Sequence, residues 1–240
     1  MLAAAKLVLL PLLLAQGVMT RARLPRLPEA DGERAGVAAP GGLQGQHPLR
    51  LLVAGDSSAA GVGVRWQHEA LAAPLAARLA AYTGRPVPWA LQARTGLSTA
   101  ELLAWLQQEP PATADLAMVV SGVNDVTGRV RPAQAVAARD ALATLLRRRG
   151  VRHIAFAPLP PMHAFPGLPQ PLRWVAGAEA RRHNQALAAW VATRDDVSCV
   201  PLQLPLARDG VAADGFHPGA PLYRLCADVM ASHLAAFEET

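Results

Sequence analysis

The sequence is short of residues that build several common kinds of functional site. Lys6 is its only lysine among 23 basic residues, and two of its 240 residues are cysteines. Because no lysine follows the glycines near residue 55, a P-loop for phosphate binding is excluded there. Cys199 and Cys226 lack the spacing of a zinc or redox motif; they could form one disulfide or remain two buried apolar side chains. No histidine and carboxylate cluster has metal-site spacing, so we expect no metal and no other cofactor.

Aromatic and charged residues are also scarce, at 5% and 17% of the chain. No stretch interleaves aromatic with basic residues as nucleic-acid-binding motifs do, so we expect no nucleic-acid partner. The densest basic cluster, Arg147-Arg148-Arg149, stands at the end of a predicted helix before Gly150. Cations stabilise a helix C-terminus and glycine caps it, although phosphate binding remains the alternative.

Two further motifs of α/β proteins are missing. Gly61-Val62-Gly63 has Trp66 where a dinucleotide-binding fingerprint requires glycine. The Gly-x-Ser-x-Gly motif of the α/β-hydrolase nucleophile elbow is absent around Ser57. Both of those enzyme classes are therefore excluded.

The N-terminal residues 1–20 are strongly apolar, and three arginines follow by residue 26. Residues 7–15 have the length of the apolar core of a signal peptide, with Lys6 as its positive flank. The arginines that follow oppose translocation of such a segment. A membrane anchor or peripheral helix, a cleaved signal and an ordinary packed helix all stay open. The favoured location is therefore membrane-associated through this segment, with export or the cytoplasm as alternatives.

The remaining chain divides into a linker and a folded domain. Residues 21–48 are rich in proline, glycine and arginine, which predicts a linker or a loosely draped arm. In residues 49–240, apolar runs with strand character alternate with segments of helical periodicity. Strands separated by helices predict a parallel sheet covered on both faces. We therefore predict an α/β fold, a three-layer α/β/α sandwich with about five parallel strands.

The first of these strands ends in Gly55-Asp56-Ser57-Ser58, after the apolar run of residues 51–54. A serine just past the carboxyl end of a strand stands where open α/β sheets bind their ligands. The alternative is a plain strand-to-helix turn, in which Asp56 or Ser57 caps the next helix.

Three later stretches follow predicted strands or precede the last helix, and they bring complementary chemistry to the same sheet edge. His217 could act as the base that a serine hydroxyl needs to become a nucleophile, and Asp214 could orient its imidazole. Gly96 and Asn124 are of the kinds that stabilise an oxyanion, as is the backbone at Ser57. Asp214 and His217 could instead be a simple helix-entry pair before Pro218.

In these motifs the sequence resembles the SGNH hydrolases, also called the GDSL esterase and lipase family. The four blocks of that family are matched in order by Gly55-Asp56-Ser57, the glycine of Arg94-Thr95-Gly96, Gly122-Val123-Asn124-Asp125 and Asp214-Gly215-Phe216-His217. The resemblance implies a flavodoxin-like fold and a serine esterase. It makes Ser57 the nucleophile, His217 the base and Asp214 its orienting acid, with Ser57, Gly96 and Asn124 as the oxyanion hole.

The sequence leaves alternatives open for the class of substrate and for whether the protein is catalytic at all. The first block reads Gly-Asp-Ser-Ser rather than Gly-Asp-Ser-Leu, and the expected substrates are lipid-like or small acyl esters. The Pro-rich loop of residues 158–166 follows a predicted strand at residues 153–157 and is expected to overhang the site, with Met162 and Phe165 lining the substrate pocket. The second function class is a non-catalytic binding module of the same shape, tethered to a membrane by residues 1–20.

Overall fold

The computed structural model describes residues 2–39, 47–203 and 210–238, and in them the chain forms one sheet of six strands. The strands are β1 (Ala35–Ala38), β2 (Leu51–Gly55), β3 (Val87–Ala93), β4 (Leu116–Val120), β5 (His153–Phe156) and β6 (Val197–Cys199). Their order across the sheet is β1-β3-β2-β4-β5-β6. Strands β2 to β6 pair in parallel, and β1 pairs antiparallel with β3. The prediction of a predominantly parallel sheet is confirmed.

Helices fill the connections between the strands. They are α1 (Leu2–Arg23), α2 (Ser57–Ala60), α3 (Ala72–Thr83), α4 (Thr99–Gln108), α5 (Val123–Thr127), α6 (Pro132–Arg148), α7 (Leu172–Val191) and α8 (Ala220–Ala235). Single 3₁₀ turns lie at Gln67–Glu69 and Met162–Ala164. The start of α4 is fixed by a capping box, in which Ser98 N–H donates to the Glu101 carboxylate and Glu101 N–H to Ser98 Oγ, at 2.8 and 3.3 Å.

The two faces of the sheet bury separate apolar clusters, because neighbouring strand residues point to opposite sides. Leu51 and Val53 pack into one cluster with residues of α3 and α8. Leu52 and Ala54 pack into the other with residues of α4, α6 and α7. The predicted three-layer α/β/α sandwich is therefore confirmed.

The sixth strand is a difference from the predicted count of about five. Residues 35–38 lie in the stretch predicted to be a linker or arm, yet they form β1 on the outer edge of β3. Gly36 lies against the indole of Trp89, where a Cβ at residue 36 would come within 3.1 Å of Nε1. Residues 35–37 are exposed, so this strand has no alternating pattern that sequence periodicity could detect.

The apolar N-terminal segment forms α1, which lies beside α7. Leu13 is its buried residue, and Gln16 donates from Nε2 to Gln170 O and accepts from Leu172 N–H, at 2.7 and 3.1 Å. In the described ranges, no helix has the length and apolar character needed to cross a membrane. Cys199 and Cys226 are both free thiols.

Candidate active site

Ser57 begins α2 immediately after the carboxyl end of β2. Asp56 is the N-cap of this helix, and its carboxylate accepts from Ser58 N–H at 3.1 Å. The side chain of Asp56 therefore serves the capping role that sequence left open between Asp56 and Ser57. The Ser57 hydroxyl is thereby left for another partner, in a residue that is 9% exposed.

That partner is His217, in the loop before α8. Ser57 Oγ lies 2.9 Å from His217 Nε2, and His217 Nδ1 lies 2.6 Å from Asp214 Oδ2. Because a carboxylate only accepts, Nδ1 carries the proton and donates it to Asp214. Nε2 is then unprotonated and accepts from the Ser57 hydroxyl. The arrangement can remove the serine proton, and it makes the plain helix-entry interpretation of Asp214 and His217 insufficient.

Asp214 is held by its own turn as well as by the imidazole. Its Oδ1 accepts from Phe216 N–H and His217 N–H at 2.9 and 3.0 Å. Burial alone raises the pKa of the Asp214 carboxyl, but the hydrogen bonds from His217 and from these two amides lower it below its ordinary value. The Asp214 carboxylate is therefore ionised at neutral pH and can accept from His217 Nδ1–H.

Gly63 lets the His217 loop approach the end of α2. Its φ is +110°, in the left-handed region, and a Cβ there would stand 2.2 Å from Pro218 O. Tyr223 of α8 donates its hydroxyl to Val62 O at 2.8 Å, next to the same contact. The Gly61-Val62-Gly63 stretch thus has a structural role, although it is not a dinucleotide motif.

Gly96 lies in the turn after β3, and Asn124 lies in α5, which is hydrogen-bonded to that turn. Asn124 Nδ2 donates to Leu97 O at 3.0 Å and has a longer contact of 3.4 Å with Asp56 Oδ2. Gly96 has a φ of +87° with open space around it, and no described residue accepts from its N–H. The Gly96 N–H is consequently free to bind a substrate oxygen. The Asn124 side-chain amide can do so only if it gives up its 3.4 Å contact with Asp56 Oδ2.

Asp56 is a buried carboxyl in the middle of this site. Burial raises its pKa to about 6, although Ser58 N–H and the nearby His217 act in the opposite direction. Asp56 is therefore ionised at neutral pH, and it becomes protonated under mildly acidic conditions.

Sequence reasoning missed a buried network behind Asn124. The Asp125 carboxylate accepts from Thr99 N–H and Oγ1–H at 2.9 and 2.6 Å, which joins the start of α4 to α5. Arg139 of α6 lies 3.5 Å from the same carboxylate, and both side chains are 1% exposed. The sequence does contain a signal for it, because Arg139 falls on the apolar face of α6 between Ala135 and Leu142.

A large cavity opens beside His217, Asp214 and Asn124, with a volume of about 1670 Å³. Met162 borders it but is fully buried behind its wall, and Phe165 lies against Phe216 with ring centroids 4.6 Å apart. The structure therefore does not expose either side chain to the cavity as the sequence predicted. One face of α1 and one face of α7 supply much of the wall, including Leu10, Leu13, Leu14, Leu172, Val175 and Ala176. Among the described residues there is no group of three or more His, Cys, Asp or Glu side chains placed to hold a metal ion.

Comparison with protein families gives one match, to the GDSL-like Lipase/Acylhydrolase family over residues 53–225. The GDSL-like esterase Rv1075c of Mycobacterium tuberculosis is 30% identical in an alignment 240 residues long. This alignment covers 91% of the present chain and 74% of that protein. The family match includes all four motif blocks and excludes the first 52 residues.

Solved structures of low identity share the fold. The lipase Lip_vut3 from a goat rumen metagenome superposes with a TM-score of 0.61 at 16% identity, covering 78% of this chain and 96% of that one. The psychrotrophic esterase EstA of Pseudoalteromonas sp., in a structure inhibited by monoethylphosphonate, has a TM-score of 0.58 at 14% identity, covering 80% and 99%. These likenesses confirm the sandwich architecture.

Proposed function

The chain belongs to the GDSL-like lipase/acylhydrolase family and is an ester-bond hydrolase, and from this premise we propose that it is a serine esterase that forms an acyl-enzyme on Ser57. The observation that carries the proposal is the unbroken hydrogen-bonded chain from Ser57 Oγ through the His217 ring to Asp214. A module that only binds has no use for such a chain, so the non-catalytic alternative is not favoured.

In the first half of the proposed reaction, His217 Nε2 takes the Ser57 proton as Oγ bonds to the ester carbonyl carbon. The negative oxygen of the tetrahedral intermediate is stabilised by backbone N–H groups at Ser57 and Gly96, and by the Asn124 amide once it leaves Asp56. His217 then gives its proton to the alcohol oxygen as the C–O bond breaks. Asp214 stabilises the imidazolium that exists between the two transfers.

In the second half, water replaces the alcohol. His217 takes a proton from the water as its oxygen attacks the acyl carbon, and then returns a proton to Ser57 Oγ as the acid leaves. Each cycle therefore consumes one ester and one water, releases one alcohol and one acid, and leaves the enzyme unchanged. No cofactor takes part in this proposed cycle.

For the substrate we propose lipid-like esters rather than small acyl esters. The cavity beside His217 is larger than the 300–1,000 Å³ or so that is typical of small-molecule sites. Its walls on α1 and α7 are mostly apolar, which favours an extended hydrocarbon chain over a sugar or a short acid. Met162 and Phe165 are buried behind this wall, so they shape the cavity from beneath, and Phe165 supports Phe216 at its surface.

We also propose that α1 associates with a lipid surface. Val8, Leu12 and Met19 are 80%, 45% and 47% exposed, an unusual number of uncovered apolar side chains on one helix. Arg23 and Arg26 follow and suit anionic headgroups. The test is flotation with phosphatidylglycerol vesicles: the wild type is expected to float with them and a Val8→Ser/Leu12→Ser variant to stay behind. Equal flotation of both proteins contradicts the proposal.

The experiment that tests the nucleophile is labelling with ethyl p-nitrophenyl phosphonate, followed by tandem mass spectrometry. One adduct is expected, on Ser57, with release of one p-nitrophenol per chain. Ser58→Ala provides a matched control that removes the neighbouring hydroxyl and is expected to label normally. An adduct on another residue, or undiminished labelling of Ser57→Ala, contradicts the proposal.

A further inference from the structure

Residues 29–38, called the arm below, precede the family-matched region and lie along the edge of the active site. Ala30 N–H donates to Ala60 O at the end of the nucleophile helix, at 3.3 Å. The buried Gln67 amide bridges Ala30 O and Ala60 O at 3.1 and 3.0 Å. Farther along, Arg34 O accepts from Leu91 N–H of β3 at 2.7 Å. The arm is therefore fixed both to the nucleophile helix and to the strand that leads to Gly96.

Glu29 connects this arm to the turn after β3. Its Oε1 accepts from Thr95 N–H at 2.6 Å, and its Oε2 accepts from Arg34 Nη1 at 3.0 Å. Arg34 also donates from Nη2 to Ala93 O. Partial burial raises the pKa of Glu29, but the hydrogen bonds from Thr95 and Arg34 lower it below its ordinary value. A charged acceptor of this kind forms a short and strong hydrogen bond with a backbone amide.

The turn that Glu29 holds is also fixed at its two ends, where Arg94 N–H donates to Gly55 O at 3.2 Å and the capping box of Ser98 begins α4, but its middle is unpacked. Thr95 and Gly96 are exposed, and no atom lies within 4 Å of a Cβ placed on Gly96. A glycine at positive φ with no packed neighbour can adopt many conformations. The residues on either side of Gly96 are held by hydrogen bonds. Glu29 accepts from Thr95 N–H on one side, and Asn124 donates to Leu97 O at 3.0 Å on the other.

We propose that Glu29 is a positioning residue for ester hydrolysis, which fixes the Thr95 amide so that the Gly96 N–H is directed at the carbonyl oxygen of the substrate. The inference rests on the proposed oxyanion role of Gly96. Since Glu29 occupies the Thr95 N–H, the substrate is left with the neighbouring amide of Gly96. Glu29 itself does not contact the reacting atoms. Loss of an aligned hydrogen-bond donor lowers kcat, because the developing negative charge exists only in the transition state.

The test compares Glu29→Gln with Glu29→Met in the full chain. Glutamine keeps an oxygen that accepts from Thr95 N–H, whereas methionine has similar length and accepts no such bond. We expect kcat on a p-nitrophenyl ester to fall by about 10- to 100-fold in Glu29→Met and by less than about threefold in Glu29→Gln. KM is expected to change little in either variant. Phosphonate labelling of Ser57 is expected to slow by the same factor as kcat.

Glu33→Gln is the matched control, because Glu33 is an exposed carboxylate of the same arm, and it is expected to behave as wild type. Should Glu29→Met not fold, Glu29→Ala provides the same loss of acceptor. Unchanged kcat in the methionine or alanine variant, or an equal fall in the glutamine variant, overturns the inference. Ser57→Ala, measured alongside, separates the two claims: its full activity would overturn the proposed function, whereas an inactive Ser57→Ala with fully active Glu29→Met overturns only the role of Glu29.

Discussion

Ser57 Oγ and His217 Nε2 lie 2.9 Å apart although 160 residues separate them in the chain. One side chain follows the central strand β2, and the other lies in the loop before the last helix. Their distance is set by the contact of Gly63 with Pro218 and by the hydrogen bond from Tyr223 to Val62 O. The hydrogen bond between Ser57 and His217 therefore depends on the correct docking of α8 and its preceding loop.

The Asp214 carboxylate is expected to select the tautomer of His217. In Asp214→Asn the amide can donate to Nδ1, which favours a proton on Nε2 and prevents acceptance from Ser57. We expect kcat to fall about 10⁴-fold with the fold intact. The measurement is steady-state hydrolysis of a p-nitrophenyl ester, with the exposed Asp195→Asn as control. A fall of less than about tenfold in Asp214→Asn would contradict an orienting role for this residue.

The close approach at Gly63 predicts a coupled loss of stability and activity. In Gly63→Ala the methyl group meets Pro218 O and the positive φ is strained. Gly150→Ala has the same strain, at φ +90°, but open space around it. We expect Gly150→Ala to lose about 1–2 kcal/mol of unfolding free energy at unchanged kcat. Gly63→Ala should lose more and reduce kcat at least about tenfold, as urea unfolding and ester kinetics will measure.

The raised pKa of Asp56 predicts how stability depends on pH. Protonation of the buried carboxyl stabilises the folded state, so this contribution is fully present below about pH 3.8 and is lost as pH rises through about 6. The whole effect is about 3 kcal/mol, of which about 2 kcal/mol falls between about pH 4.5 and 7.5. We expect wild type to lose that amount relative to Asp56→Asn across this range in urea unfolding. A constant difference between the two proteins would contradict the assigned pKa.

Met162 and Phe165 are predicted to affect catalysis differently. Met162 is buried behind the cavity wall, so its truncation to alanine lets the wall yield and the preferred acyl chain of p-nitrophenyl esters should become longer or bulkier. Phe165→Ala removes the ring beneath Phe216, beside His217, and should cost about 3–5 kcal/mol of stability and lower turnover for every chain length. If both variants keep the wild-type chain-length profile and rate, the proposed pocket is wrong.

Much of the fold could be predicted because its signals are local. Buried parallel strands such as Leu51–Gly55 and Leu116–Val120 are continuous apolar runs, and Ser98 with Glu101 marks the start of α4. The order of the motif blocks was sufficient to identify the family. The hydrogen bonds among Ser57, His217 and Asp214 join the residues that the motif blocks singled out.

The features that could not be predicted depend on partners distant in sequence. The β1 strand exists because β3 offers an unpaired edge, and nothing in Ala-Gly-Val-Ala specifies it. The start of α3 at Ala72 is a second such feature, because the preceding Gln67–Glu69 forms a 3₁₀ turn whose Gln67 side chain donates to Ala30 O and Ala60 O. In the sequence, Glu29 is one carboxylate within a predicted linker, and only the folded chain shows its hydrogen bond with Thr95 N–H.

Hydrolysis of p-nitrophenyl esters, from acetyl to long acyl chains, by wild type, Ser57→Ala and Ser58→Ala tests the central claim most directly. The account predicts that Ser57→Ala loses at least about 10⁴-fold in kcat on every ester while retaining its circular dichroism spectrum. Ser58→Ala should keep the wild-type rate, and wild type should favour longer chains. Equal turnover by wild type and Ser57→Ala would contradict a serine mechanism centred on this residue.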